Sequence, residues 1–291
     1  MRPNPPSLNL AAALAALGLL FRTADPVLAH GPDHVFILSL TEELTRQPGN
    51  ADLLLQRGER YRSHGDLASA RTDLEAALAS NPSLQPARLR LALVARDQDR
   101  LDEALTLLDT TLATESTNLL ARATRADVRM RAGRPAEAIP DFDRVLADSS
   151  HPRPELFIAR ARAVLSADTN AFSRALDGIN EGIAQLGPVP SLQMLALDIE
   201  ERSGNIDGAL RRLDAVMAGM ERKERWLMRR GDILRNAQRA TEAKEAYRRA
   251  LKALDALPER LRRTIASEEL RRELGARLAG NTPNTGTSPH R

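Results

Sequence analysis

The sequence predicts an all-α solenoid: a series of helix-turn-helix units closed by a C-terminal capping helix. Three observations predict it. Ala70, Ala104, Ala138, Ala175, Ala209 and Ala243 follow one another at 34, 34, 37, 34 and 34 residues, and a fixed period of that size marks an array of stacked units. Four residues after each alanine stands an apolar side chain (Leu74, Leu108, Phe142, Ile179, Leu213, Tyr247), and four further on another (Leu78, Leu112, Leu146, Ile183, Met217, Leu251). That spacing lays all three on one helical face. Finally, only 3% of the residues are aromatic against 42% hydrophobic, so the core must be built from small and branched side chains on closely approaching helices.

The elements follow in order. After Arg2 an apolar run over residues 8–21 leads through Arg22, Asp25 and Pro26 to Val27-Leu28-Ala29, small at both recognition positions. Residues 1–29 therefore read as a secretory signal peptide cut after Ala29. The run is short of the ~20 residues that span a bilayer, so the mature chain carries no transmembrane segment and is expected in the periplasm or secreted. Cysteine is absent, which removes disulfides, thiolate metal sites and cysteine nucleophiles. Residues 30–50 match only the second half of a unit, with Phe36, Leu40 and Leu44 at the apolar positions and Pro48 one period before Pro82.

In residues 51–84, Leu54, Gly58 and Tyr61 belong to a first helix, Gly65 and Asp66 to the turn, Ala70, Leu74, Ala77 and Leu78 to a second helix, and Pro82 ends the unit. Units 85–118, 119–152, 153–187, 188–223 and 224–257 follow. The small residue of the first helix recurs as Ala92, Ala126, Ala161 and Gly231, with Leu197 the departure. Small side chains there and at the six alanines let the helices of a unit approach, and each unit must stack on its neighbours to cover its apolar face. The fourth unit has two extra residues near Asp168 to Phe172, read as a lengthened turn, and Gly182 where an alanine is usual. Residues 258–279 form one or two capping helices carrying Leu261, Ile265, Leu270, Leu274 and Leu278. The tail, 280–291, is polar and reads as disordered.

These signature positions resemble the tetratricopeptide repeat, a 34-residue helix-turn-helix, in an exported bacterial-type chain. The resemblance implies a right-handed superhelix and a binding scaffold whose concave face, lined by the first helices, holds a peptide or another protein. Mapped from the family's inward positions, the groove would present Arg62 and Glu59, Arg96 and Asp97, Arg131 and Asp127, Arg162, Arg202 with Asp198 and Glu201, and Arg225 and Arg235 with Asp232. Arginine forks suit bidentate recognition of carboxylates, so Arg62, Arg96, Arg131, Arg162, Arg202 and Arg235 are the candidate partner-binding set, directed at an acidic extended peptide. The alternative is that arginine is this chain's default polar residue, solvated and paired with nearby acids: of 42 basic residues only Lys223, Lys244 and Lys252 are lysine.

No metalloprotease helix, phosphate-cradling loop, nucleophile elbow or zinc spacing occurs, so neither catalysis nor a cofactor is expected. His64 and His151 fall in turns. Cleavage after Ala29 exposes His30 as the first residue, whose amine and imidazole can chelate copper, with His34 as a further ligand; a metal-handling protein or enzyme is thus the rival reading. Residues 221–277 hold 17 Arg or Lys against 10 Asp or Glu. Without stacking aromatics, nucleic acid is not the expected partner; a solvated cap, an acidic partner or peripheral contact with an anionic envelope surface fits this excess better.

Overall fold

The computed structural model describes residues 32–280, and among them the chain is a succession of helices with no strand. Helix α1 (Pro32–Arg46) stands alone before the repeats. The first three repeats contribute α2 (Ala51–Ser63) and α3 (Leu67–Ser80), α4 (Gln85–Asp97) and α5 (Leu101–Thr114), α6 (Leu119–Arg131) and α7 (Pro135–Asp148). The next three contribute α8 (Pro154–Ala167) and α9 (Phe172–Leu186), α10 (Pro190–Arg202) and α11 (Ile206–Ala218), α12 (Glu224–Asn236) and α13 (Ala240–Asp255). The cap consists of α14 (Glu259–Arg262) and α15 (Ile265–Leu278). The proposed signal peptide, His30 and the polar tail after Gly280 lie outside the described residues.

Local chemistry sets the helix ends. Asn50 caps α2 by accepting from the amides of Asp52 and Leu53, and Asp66 caps α3 by accepting from Ser69; such side chains satisfy amides that the first turn leaves unpaired. The bond to the Ser69 amide holds the Asp66 carboxyl below its ordinary range. Between the helices of every repeat but the fourth, one residue turns left-handed: Gly65, Gly133 and Gly204 at φ of 81°, 70° and 76°, and, at the same register, Asp99 and Gln238 at 60° and 63°. Glycine enters that region without a Cβ penalty; the repeat geometry imposes it on Asp99 and Gln238 as well. The three residues that stretch the third interval to 37 are dispersed. One lengthens the connection before Pro154, one lengthens α8, and one lengthens the turn before Phe172.

Contacts divide the chain into two compact bodies, residues 1–128 and 129–291. In the N-terminal body Leu54, Ala70, Leu74 and Ala77 form a core with Leu44, Ala87, Leu91 and Val94 from α1 and α4. In the C-terminal body Ala209, Leu213, Ala243 and Tyr247 share a core with Leu270 and Leu274 of α15, so the cap seals the last repeat. All six period-marking alanines are buried. The helix pairs interlock through glycine: a Cβ on Gly58 would sit 2.9 Å from Leu74, and one on Gly182 would sit 2.7 Å from the Phe157 ring. Gly182 replaces the usual alanine because Phe157, an aromatic on the first helix, takes that space.

Two sequence assignments need correction. Phe36 does not belong to the packed face of α1, which consists of Ile37, Leu40 and Leu44; its ring is 52% exposed. It occupies the register position of Ala70, which faces a first helix of its own repeat, and no such helix stands beside α1 among the described residues. Ile265 is likewise outside the packed face of the cap at 76% exposed. It opens α15, where Ser267 instead turns inward and donates to the Leu261 carbonyl.

Candidate interaction surface

Three successive first helices, α2, α4 and α6 as far as Asp127, carry a continuous line of ion pairs. Glu59 accepts from Arg62 (3.1 Å) and pairs with Arg90 (3.1 Å). Arg62 reaches across to Asp97 (3.1 Å), which also takes Arg96 (2.7 Å), and Arg96 extends to Asp127 (3.8 Å). Hydrogen bonding to Glu59, ahead of the contribution from Asp97, holds the Arg62 guanidinium still more firmly protonated. Arg62 and Arg96 thus meet at Asp97, as members of a charge-balanced wall rather than as a file of open arginines. Arg90 is the member that the sequence reading missed, because it lies one position outside the family's inward set.

Where this wall meets α1 lies a cleft of about 650 Å³ whose floor includes Phe36, Leu40, Leu55 and Pro86, with Glu43 and Arg60 on its rim. Arg60 stacks over the Phe36 ring at 5.0 Å, a cation–π arrangement.

The other candidate arginines divide by environment. Arg131 and Arg162 are exposed, and Arg162 has no ion pair among the described residues. Arg202 lies over the Phe172 ring at 5.5 Å and beside Asp198 at 3.4 Å. Arg235 is half-buried beside Asp232 (3.5 Å), a carboxylate that also accepts from the Tyr247 hydroxyl (2.8 Å) and Arg277 (2.9 Å). Burial, then the bond to Asp232, pushes the Tyr247 hydroxyl's pKa up. Arg235 therefore belongs to the junction between the last repeat and its cap. Nearby Glu201 pairs with Arg229 at 2.5 Å, and burial raises its carboxyl above the ordinary range. Arg225 is exposed and, like Arg162, has no ion pair among the described residues.

His34 lies on α1, and among the described residues no three His, Cys, Asp or Glu side chains converge as a metal site. No described helix is long and apolar enough to cross a membrane.

A deeper set of ion pairs joins the two helices of a repeat. Arg57 grips both oxygens of Asp73 at 2.7 Å while donating to Thr41. Arg129 of α6 binds Asp141 of α7 at 2.6 Å. At the same two register positions of the fifth repeat the polarity is reversed, with Glu200 of α10 accepting from Arg212 of α11 at 2.7 and 3.0 Å.

The family described as tetratricopeptide repeat-like domain matches residues 39–164 and 151–266. Comparison with curated proteins gives no match. Among solved structures, the C-terminal part of a TPR repeat-containing protein from Cytophaga hutchinsonii is similar at 13% identity and TM-score 0.63, over 82% of this chain and 99% of that one. A tetratricopeptide repeat protein from Parabacteroides merdae is similar at 17% identity and TM-score 0.53, over 81% and 94%. PilF of Pseudomonas aeruginosa is similar at 19% identity and TM-score 0.51, over 77% and 97%. At these identities the likeness speaks for the fold alone.

Proposed function

The chain belongs to the tetratricopeptide repeat family, and from that premise we propose that it is a non-catalytic exported scaffold that binds another protein, or an extended segment of one, along its first helices. The observation that carries the acidic character of the partner is the pair Arg162 and Arg225, exposed on first helices of the C-terminal body with no ion pair among the described residues. A carboxylate arriving there gains a partner without displacing one. Arg62 and Arg96, already satisfied, serve as the wall of the N-terminal body. The apolar run over residues 8–21 and the small residues before His30 support export.

An extended peptide of alternating Glu and Ser, followed by fluorescence anisotropy, tests the partner class. Binding should weaken with salt, because exposed pairs are screened over about 8 Å at physiological ionic strength. Changing Arg162 and Arg225 together to Ala should cost about tenfold in affinity, the ~1.4 kcal/mol that two exposed pairs can share. Equal binding of the peptide with Gln in place of Glu would refute the acidic-partner reading. Export is tested by intact mass of the protein from its native host, expected to begin at His30; a soluble form retaining residues 1–21 overturns it.

A further inference from the structure

The cleft beside α1 has the register of a missing helix. Phe36, Leu40 and Glu43 stand one period before Ala70, Leu74 and Ala77. In α3 those three positions are fully buried, with Gly58 of α2 set against Ala70 and Leu74. In α1 the equivalent side chains line an open cleft, together with Leu55 and Pro86 from the first helices α2 and α4. Three of the six large apolar side chains exposed among the described residues, Val35, Phe36 and Leu38, lie on α1. A cluster of that kind on one element marks an interaction surface more than a scatter of single exposed residues does.

We propose that this cleft takes an amphipathic helix of a partner protein, which supplies in trans the first helix that does not stand beside α1 among the described residues and continues the row of α2 and α4. The lining specifies the chemistry of that helix. Where the next repeat carries alanine, α1 carries Phe36, so the incoming helix must present a glycine or alanine to the ring. The chain uses this solution internally, with Phe157 against Gly182 and Tyr247 against Gly231. Where the next repeat carries a second alanine, α1 carries Glu43, exposed and with no ion pair among the described residues. The arginine next to it across the cleft, Arg90, is already held by Glu59, and Arg60 is stacked over Phe36. Glu43 is therefore the lining carboxylate without a salt bridge among the described residues, and it selects a helix with a Lys or Arg beside its small residue. Arg162 and Arg225 take no part, so loss of acidic-peptide binding leaves this proposal standing, and the reverse also holds.

The probe is a lactam-stapled peptide with the sequence of Ala51–Ser63, this chain's own first helix, which carries Gly58 flanked by Arg57 and Arg60. Stapling is needed because an isolated helix of this length is marginal in water. In the full chain, Ser39→p-benzoylphenylalanine places a photo-crosslinker on the cleft's edge. The expected result is saturable crosslinking to the peptide, reduced about tenfold by Phe36→Asp, by Glu43→Lys, or by Gly58→Trp in the peptide. Phe36 and Glu43 are exposed, so both variants should keep the wild-type circular dichroism spectrum. The proposal is overturned by crosslinking to residues before Pro32 of the same chain, by crosslinking to a second copy, or by capture of the peptide that Phe36→Asp leaves unchanged.

Discussion

Removing Arg212 should destabilise the C-terminal body more than removing its partner Glu200, and the difference follows from what each leaves behind. The guanidinium holds both oxygens of Glu200 and also donates to Gln193 (3.1 Å) and Asn180 (3.0 Å); the two side chains are 14% and 6% exposed. At an effective dielectric constant near 20 such a pair is worth at most ~4 kcal/mol, and breaking a buried pair on one side costs ~3–5 kcal/mol. Arg212→Ala strands the less exposed charge, a carboxylate whose only side-chain partner among the described residues is that arginine, so we expect a loss of about 3 kcal/mol. Glu200→Ala leaves a guanidinium that keeps two amide oxygens and some water, and about half that loss is expected. Replacing both by Leu should recover most of it, because apolar side chains of similar volume fill such sites with little net change. For a body of this size the Arg212 change corresponds to a drop of ~6–12 °C in Tm, read by circular dichroism melts of the four proteins at matched concentration. Equal and additive single effects would show that Glu200 and Arg212 are solvated separately, and the reasoning would fail.

Other perturbations probe the packing and the turns. Gly182→Ala should cost ~1–3 kcal/mol by pressing a methyl group into the Phe157 ring; if adding Phe157→Leu restores none of the lost melting temperature, the interlock is wrongly assigned. Gln238→Gly should raise stability by up to ~1 kcal/mol, because it relieves a left-handed residue at φ 63°; a lower melting temperature contradicts this. Glu103, held by Arg71 at 2.8 and 2.9 Å and below its ordinary range chiefly through that hydrogen bond, gives a stability contribution present at neutral pH and lost as pH falls through the depressed value. The melting difference between wild type and Glu103→Gln should therefore vanish in acid, and a difference that persists there excludes the charge as its source. Changing Arg62 and Arg96 together to Gln should lower the melting temperature of the N-terminal body while leaving affinity for the acidic peptide within about twofold, since only partly exposed, internally exchanged pairs are involved; a larger affinity loss than that of the Arg162 and Arg225 pair argues against the division of roles.

The helices and their pairing were legible because packing leaves a periodic trace. Ala70 and its five successors are buried where two helix backbones approach, and a bulky side chain there separates the helices, so the period survives in the sequence. The left-handed turn was only partly legible: Gly65 announces it, whereas Asp99 and Gln238 adopt the same backbone under the constraint of the two flanking helices, without a glycine to signal it. The exposed Phe36 could not be distinguished from a core residue by spacing, since its burial depends on whether a helix stands opposite. The ion pairs were hidden for another reason. Arg129 and Asp141 lie 12 residues apart, as do Glu200 and Arg212, and the reversed polarity removes any residue-by-residue signature between the repeats. Comparing the two register positions for opposite charge, rather than for identity, would have found them.

The line from Arg90 through Glu59, Arg62, Asp97 and Arg96 to Asp127 changes what an acidic partner meets. Three cations alternate with three anions, so the field of this wall cancels within a few ångströms and contributes little to steering a charged ligand. A carboxylate binding Arg62 or Arg96 must displace Glu59, Asp97 or Asp127, trading one partly exposed pair of ~0.2–1 kcal/mol for another and leaving the displaced acid beside the newcomer. That exchange is close to neutral before the entropy of holding the ligand is counted. At Arg162 and Arg225 no pair is given up, and the whole of each new interaction goes to binding. Under the proposed function, acidic segments are therefore taken at Arg162 and Arg225, where no salt bridge among the described residues has to be broken, while the arginines that the period places in register on α2 and α4 act as struts between successive repeats.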